Sequence, residues 1–187
     1  MRHALTCLVL AAILPMPAHA KPKHKYVCTL IDPQPERPDR IRYSDQFLSV
    51  AFDMTLQNIP LAIRNLTNRP MTLDWNQVSY VDINGIAHRV IHNGIRFMEK
   101  EQPMVASPIP PGATLSDLIY PADLIQMETN IFGHDPHWNQ PDLFPKADSR
   151  EAAAFYTSRR IGIFLPITWD GSVHDYQFTI EMTVVPV

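Results

Sequence analysis

From Leu48 onward the chain alternates. In "FLSVAFDMTLQ", Leu48, Val50, Phe52, Met54 and Leu56 fall on one face, while Ser49, Asp53, Thr55 and Gln57 fall on the other. That period of two predicts a half-buried strand. Ile59, Leu61 and Ile63 repeat the pattern, "NRP" turns the chain, and Met71, Leu73 and Trp75 resume it. "VSYVDINGIAHRVIH" predicts a hairpin around Asn84-Gly85, because a glycine after asparagine suits positive φ. Pro110-Pro111-Gly112 predicts a further turn, with a strand over residues 113–120. Near the end, Ile161, Ile163, Leu165, Ile167 and Trp169 form one stripe. Asp170-Gly171 then turns the chain into a second stripe of His174, Tyr176, Phe178, Ile180, Met182 and Val184. Trp75 and Trp169 continue the inward faces of their strands and are expected to be buried. Pro166 lacks an N–H to give a ladder, so it predicts an edge or a bulge.

Residues 121–159 break this rhythm. "NIFGHDPHWNQPDLFPKADS" is rich in turn formers, and "DSREAAAFYTSR" predicts one short helix within residues 148–158, capped by Asp148 or Ser149. Residues 21–46 hold Pro22, Pro33, Pro35 and Pro38, which block a helix and predict an extended lead-in with one strand near residues 26–31. About eight short strands with tight turns predict an all-β protein, an antiparallel β-sandwich over residues 47–187 with an irregular insertion at 121–159.

Three turn motifs carry a resemblance. "RNLTNRPMTLDW", "VDINGIAHRVI" and "IPPGATLSDLI" resemble the turns of secreted bacterial immunoglobulin-like domains over residues 47–120, and the likeness resumes at Ile161. The resemblance implies an immunoglobulin-like sandwich and brings no catalytic residue with it.

The N-terminus adds a destination. Arg2 and His3 precede an apolar run from Ala4 to Leu14 and a small-x-small site at Ala18-His19-Ala20, the pattern of a secretory signal peptide over residues 1–20. The run is too short to span a membrane, so the mature chain is expected in a periplasm or outside the cell. Cys7 lies in that signal and leaves Cys28 as the single mature cysteine. It cannot form an internal disulfide, and "HKYV" before it is not a lipid-attachment signal. Asn65-Leu66-Thr67 is a glycosylation sequon in form, with no consequence expected in a bacterial protein. A formal charge of −3 argues against a nucleic-acid partner, which would call for a basic excess.

Candidate chemistry is sparse. His88 and His92 have the spacing of a helical zinc pair, but on a strand they stand about 13 Å apart, so both are read as hydrogen-bonding or exposed side chains. His134 and His137 in "HDPHW" could share an ion if another ligand joined them, since zinc takes three or four and copper accepts a thioether. No G-x-S-x-G, H-E-x-x-H or phosphate-cradling glycine loop is present. Glu99 and Glu101 read as a solvated charged loop. The aromatics Phe132, Trp138, Phe144, Phe155 and Tyr156 cluster in the insertion, where they either cover the sandwich or meet a partner. A 39-residue connection far exceeds the roughly 12–15 residues beyond which loops are usually functional or disordered. The expectation is a non-enzymatic exported module, without cofactor, that binds an envelope or extracellular protein around His134, His137, Trp138 and Phe144. The alternative is a periplasmic copper or zinc protein that uses His134 and His137.

Overall fold

The computed structural model describes residues 24–34, 41–128 and 137–187. Its strands are β1 (His24–Asp32), β2 (Arg42–Ser44), β3 (Leu48–Phe52), β4 (Ile59–Asn65), β5 (Met71–Leu73), β6 (Ser79–Val81) and β7 (Ala87–His92). They continue with β8 (Ser107–Ile109), β9 (Thr114–Pro121), β10 (Gln126–Glu128), β11 (His137–Asn139), β12 (Arg159–Trp169) and β13 (Ser172–Pro186). A single α-helix among the described residues, α1 (Arg150–Tyr156), precedes β12. Ser149 caps it, its Oγ accepting from Ala152 N.

All strand pairs are antiparallel, and one sheet runs in the order β1-β13-β12-β6-β7-β9-β4-β3-β2. The short strand β5 pairs with both β12 and β8 beside that path. The sheet rolls on itself. β7 gives residues 87–89 to β6 and residues 90–92 to β9, so one strand turns the corner between two halves. The far edge then closes on the other half through aromatic side chains. Tyr43 and Phe52 lie 5.8 and 5.1 Å from Phe178, and Phe47 lies 5.3 Å from Trp169. The result is a nearly closed, barrel-like antiparallel sheet rather than the two clearly separate sheets of a sandwich. The alternating faces read from the sequence fill its interior. Leu48, Val50, Phe52, Ile59, Leu61, Ile63, Trp75, Ile161, Ile163, Leu165, Ile167, Trp169, Phe178 and Ile180 are all buried.

Turn chemistry explains the register. Asp170 and Gly171 both take positive φ, 52° and 75°, and close the β12–β13 hairpin at the Trp169–Ser172 pair; this is the two-residue turn whose twist suits paired strands. In the β6–β7 turn only Gly85 has positive φ. Asp82 organises that turn by accepting the N–H groups of Asn84 and Ile86 on Oδ1.

Several elements differ from the expected ones. The sheet begins before residue 47, because β1 spans nine residues and pairs along β13 from His24–Pro186 to Asp32–Thr179. The insertion is less irregular than its sequence, since β10 and β11 form a small sheet of their own. Pro166 lies on neither an edge nor a bulge. β12 is an interior strand, and Pro166 falls between its β6-paired stretch (Gly162–Phe164) and its β5-paired stretch (Ile167–Thr168). On that side no partner residue stands opposite it, while on the other side it pairs with Asp175 of β13.

Candidate functional site

A cleft opens where β1 begins and β13 ends. Its volume is about 670 Å³. Tyr26 and Cys28 of β1 form one side, Met54 and Leu56 from the β3–β4 connection form another, and residues 142–148 of the insertion form the third. The lining is mainly apolar. His24, Lys25, Asp142, Lys146 and Asp148 supply its polar groups, and the C-terminal Val187 borders it.

Each wall is held by contacts that can be traced. The insertion reaches the cleft along the β3–β4 connection, where Leu143 N donates to Leu56 O at 2.6 Å and the amides of Gln57 and Gln140 exchange hydrogen bonds with each other's main chain. It then crosses to β1, where Tyr26 Oη donates to Pro145 O and the Tyr26 ring lies 5.2 Å from Phe144. Burial pushes the Tyr26 phenol up to about 12, with Tyr156 and Cys28 adding to the effect. Burial alone pushes the Cys28 thiol up to about 11, so Cys28 stays protonated near neutrality and presents a small apolar surface. Leu56, 53 % exposed, stands open to solvent at the rim.

The residues expected to form the site are described only in part. His134 lies outside the described residues. His137 and Trp138 fall on β11, paired with Glu128 and Met127. Phe144 is only 2 % exposed, packs into the core and lines the floor of the cleft. Phe155 is exposed on α1, under the Arg159 guanidinium at 4.5 Å. Among the described residues, no group of three or more His, Cys, Asp or Glu side chains is arranged to hold a metal ion.

The two strand histidines have separate partners. His88 is inward-facing and its side chain is 7 % exposed; Nδ1 lies 2.7 Å from Asp123 Oδ2 and Nε2 lies 3.5 Å from Asp82 Oδ2. Burial pulls its pKa down, but the hydrogen bond to Asp123 and the charges of Asp123 and Asp82 outweigh this and raise it above the usual histidine value. His92 pairs with Asp117 at 3.2 Å and stacks on Trp75 with centroids 4.5 Å apart. Trp75 in turn donates from Nε1 to Ser107 Oγ at 2.8 Å.

Sequence reasoning missed the cleft because its walls come from three segments far apart in the chain. The exposed end of the "FDMTLQ" stripe was the available signal, since Met54 and Leu56 continue an apolar face past the last residue of β3. Comparison with protein families, with curated proteins and with solved structures finds no match to this chain. Among the described residues, no helix is long and apolar enough to cross a membrane.

Proposed function

We propose that this chain is an exported, non-enzymatic binding module whose recognition surface is the cleft between β1, the β3–β4 connection and residues 142–148. One observation carries the reading: an apolar cleft of about 670 Å³, within the roughly 300–1,000 Å³ range of ligand sites, is walled partly by the insertion. A β-sheet protein needs no such wall for stability, because its connections can be short. The partner is an envelope or extracellular protein that presents an apolar side chain or segment to Tyr26, Met54 and Leu56. The kinship to immunoglobulin-like domains belongs to the same reading. It is supported by the turns at Asn65, Asn84-Gly85 and Pro110-Pro111-Gly112, which form with Gly85 and Gly112 in positive φ.

Site-specific photocrosslinking in the producing cell tests this. A crosslinker at Leu56 should give a discrete adduct. One at Val173, exposed at the opposite end of β13, should give none. Equal labelling from both positions, or an adduct that survives Leu56→Asp introduced beside a crosslinker at Val187, would place recognition elsewhere.

A further inference from the structure

We propose that His88, held between Asp82 and Asp123, is a pH-sensitive clamp that fixes the root of the insertion to the β6–β7 hairpin and loosens as the pH rises. The geometry demands a cation. Both ring nitrogens face carboxylate oxygens, at 2.7 Å from Asp123 and 3.5 Å from Asp82. An ionised carboxylate only accepts hydrogen bonds, and a neutral imidazole has one donor and one acceptor. The neutral ring therefore satisfies one aspartate and turns a lone pair on the other, whereas the imidazolium donates toward both. The longer contact is too long and misaligned for a hydrogen bond, and Nε2 is buried without a hydrogen-bond partner. Its link to Asp82 is therefore charge attraction, which the neutral ring lacks altogether.

Tyr80, Asp82 and Lys100 are the titratable neighbours described around His88 and the turn of Asp123. On β6, Tyr80 packs its ring 5.9 Å from His88 with a fully buried hydroxyl. That phenol is pushed far up, by burial first and by Asp82 and Cys28 next, so it remains neutral. Asp82 is held low by the hydrogen bonds of its turn and by His88, against the opposing effect of burial, and it stays ionised. Lys100 also holds the turn of Asp123, donating to the carbonyls of Ala122 and Ile125. Ala122 N also donates to Arg89 O at 2.8 Å.

The clamp acts on the start of the insertion. Asp123 sits in the turn between β9 and β10, immediately before the β10–β11 sheet. Among the described residues, His88–Asp123 is the tie to this turn whose side chain titrates near neutrality. The folded value lies above the unfolded one of about 6.5. The stabilisation is therefore complete below about 6.5 and is lost as pH rises through the folded value. An exported protein meets the pH of its surroundings, so the hold on the insertion follows the medium.

The test uses the purified full chain and two readouts, NMR titration of the His88 ring and amide hydrogen exchange of residues 122–125 corrected for intrinsic rates. In the parent protein His88 should titrate above 6.5 with both nitrogens protonated at pH 6, and protection of the turn should fall several-fold across that midpoint. Asp123→Asn should lower the His88 midpoint by about one unit, as expected for loss of one neighbouring opposite charge, and should leave turn protection flat with pH. His88→Gln should give the same flat profile; if it fails to fold, the Asp123→Asn measurement decides. A His88 midpoint at or below 6.5, or turn protection with the same pH dependence in the parent and in Asp123→Asn, would overturn the proposal.

Discussion

Asn65 offers the sharpest test of how this fold is held. Its side chain is fully buried at the end of β4 and makes four hydrogen bonds. Nδ2 donates to Arg69 O at 2.6 Å and Ile109 O at 2.9 Å, while Oδ1 accepts from Thr67 N at 2.9 Å and Thr67 Oγ1 at 2.8 Å. The first bonds fix the turn into β5, and the Ile109 bond ties that turn to the end of β8, 44 residues on. Asn65→Ala removes all four. Arg69 and Thr67 lie near the surface and can turn to water, whereas the carbonyl of Ile109, buried opposite Met71 in the β5–β8 ladder, loses its second donor where water does not replace it. Four buried or part-buried hydrogen bonds are lost, at about 0.5–1.5 kcal/mol net for a typical one, and the emptied volume adds to this, so a loss of about 3 kcal/mol is expected. In a chain of this length that is a fall in Tm of roughly 6–12 °C. Asn65→Asp keeps the shape and both accepted bonds but points oxygen at two carbonyls. At pH 7 it should be at least as damaging as alanine, because it buries a charge among acceptors. Burial raises the introduced carboxyl above its unfolded value of about 3.9, so the loss should shrink as pH falls through the folded value. Urea unfolding of both variants at pH 7 and pH 5 measures this. A loss below 1 kcal/mol for Asn65→Ala, or an Asn65→Asp deficit that does not shrink with acid, would refute the assigned role.

Other perturbations separate core from cleft. Trp169→Ala, which empties a site packed by Phe47 and stacked on His174 with centroids 3.4 Å apart, should cost about 3–5 kcal/mol in denaturant unfolding; less than about 1 kcal/mol would place the ring outside the core. Cys28, its thiol pushed up to about 11, should react with iodoacetamide at pH 8 on the order of a hundredfold more slowly than an unfolded-chain cysteine of pKa about 8.5; matching rates would show an open thiol. Leu56→Asp, at a half-open position, should leave the urea midpoint nearly unchanged yet weaken partner capture at least tenfold, and unchanged capture would remove the cleft from recognition.

The sequence was most legible where one face of a strand meets the core. Alternation alone placed the strands from Leu48 to Trp75 and the long final hairpin, and Asp170-Gly171 declared its turn. Ser149 declared the helix start, because a short side-chain acceptor ahead of "REAAAFY" is a local signal. The insertion was less legible. β10 and β11 are three residues each, too short for any period to emerge among turn formers. β1 was underestimated because prolines follow closely at 33, 35 and 38, although the strand itself holds none.

Closure of the sheet left no local trace at all. A sandwich and a rolled sheet ask the same of each strand, an apolar face inward, so their alternation is identical. What separates them here is that β7 changes partners midway, at Arg89–Val90, and this depends on where β6 and β9 end rather than on any residue of β7. The same holds for the polar sites. His88 meets Asp82 six positions away and Asp123 thirty-five positions away, and only the second contact anchors the insertion. A histidine on the same inward face as Val90 was the visible clue. It says that a buried partner must exist, since an unpaired polar ring inside a core is costly, but the topology alone decides which carboxylate supplies it. The candidate cleft follows the same rule. Its apolar rim at Met54 and Leu56 was written in the chain, whereas the opposing wall at Tyr26 and Pro145 arises only when β1 joins β13 and the insertion crosses back over them.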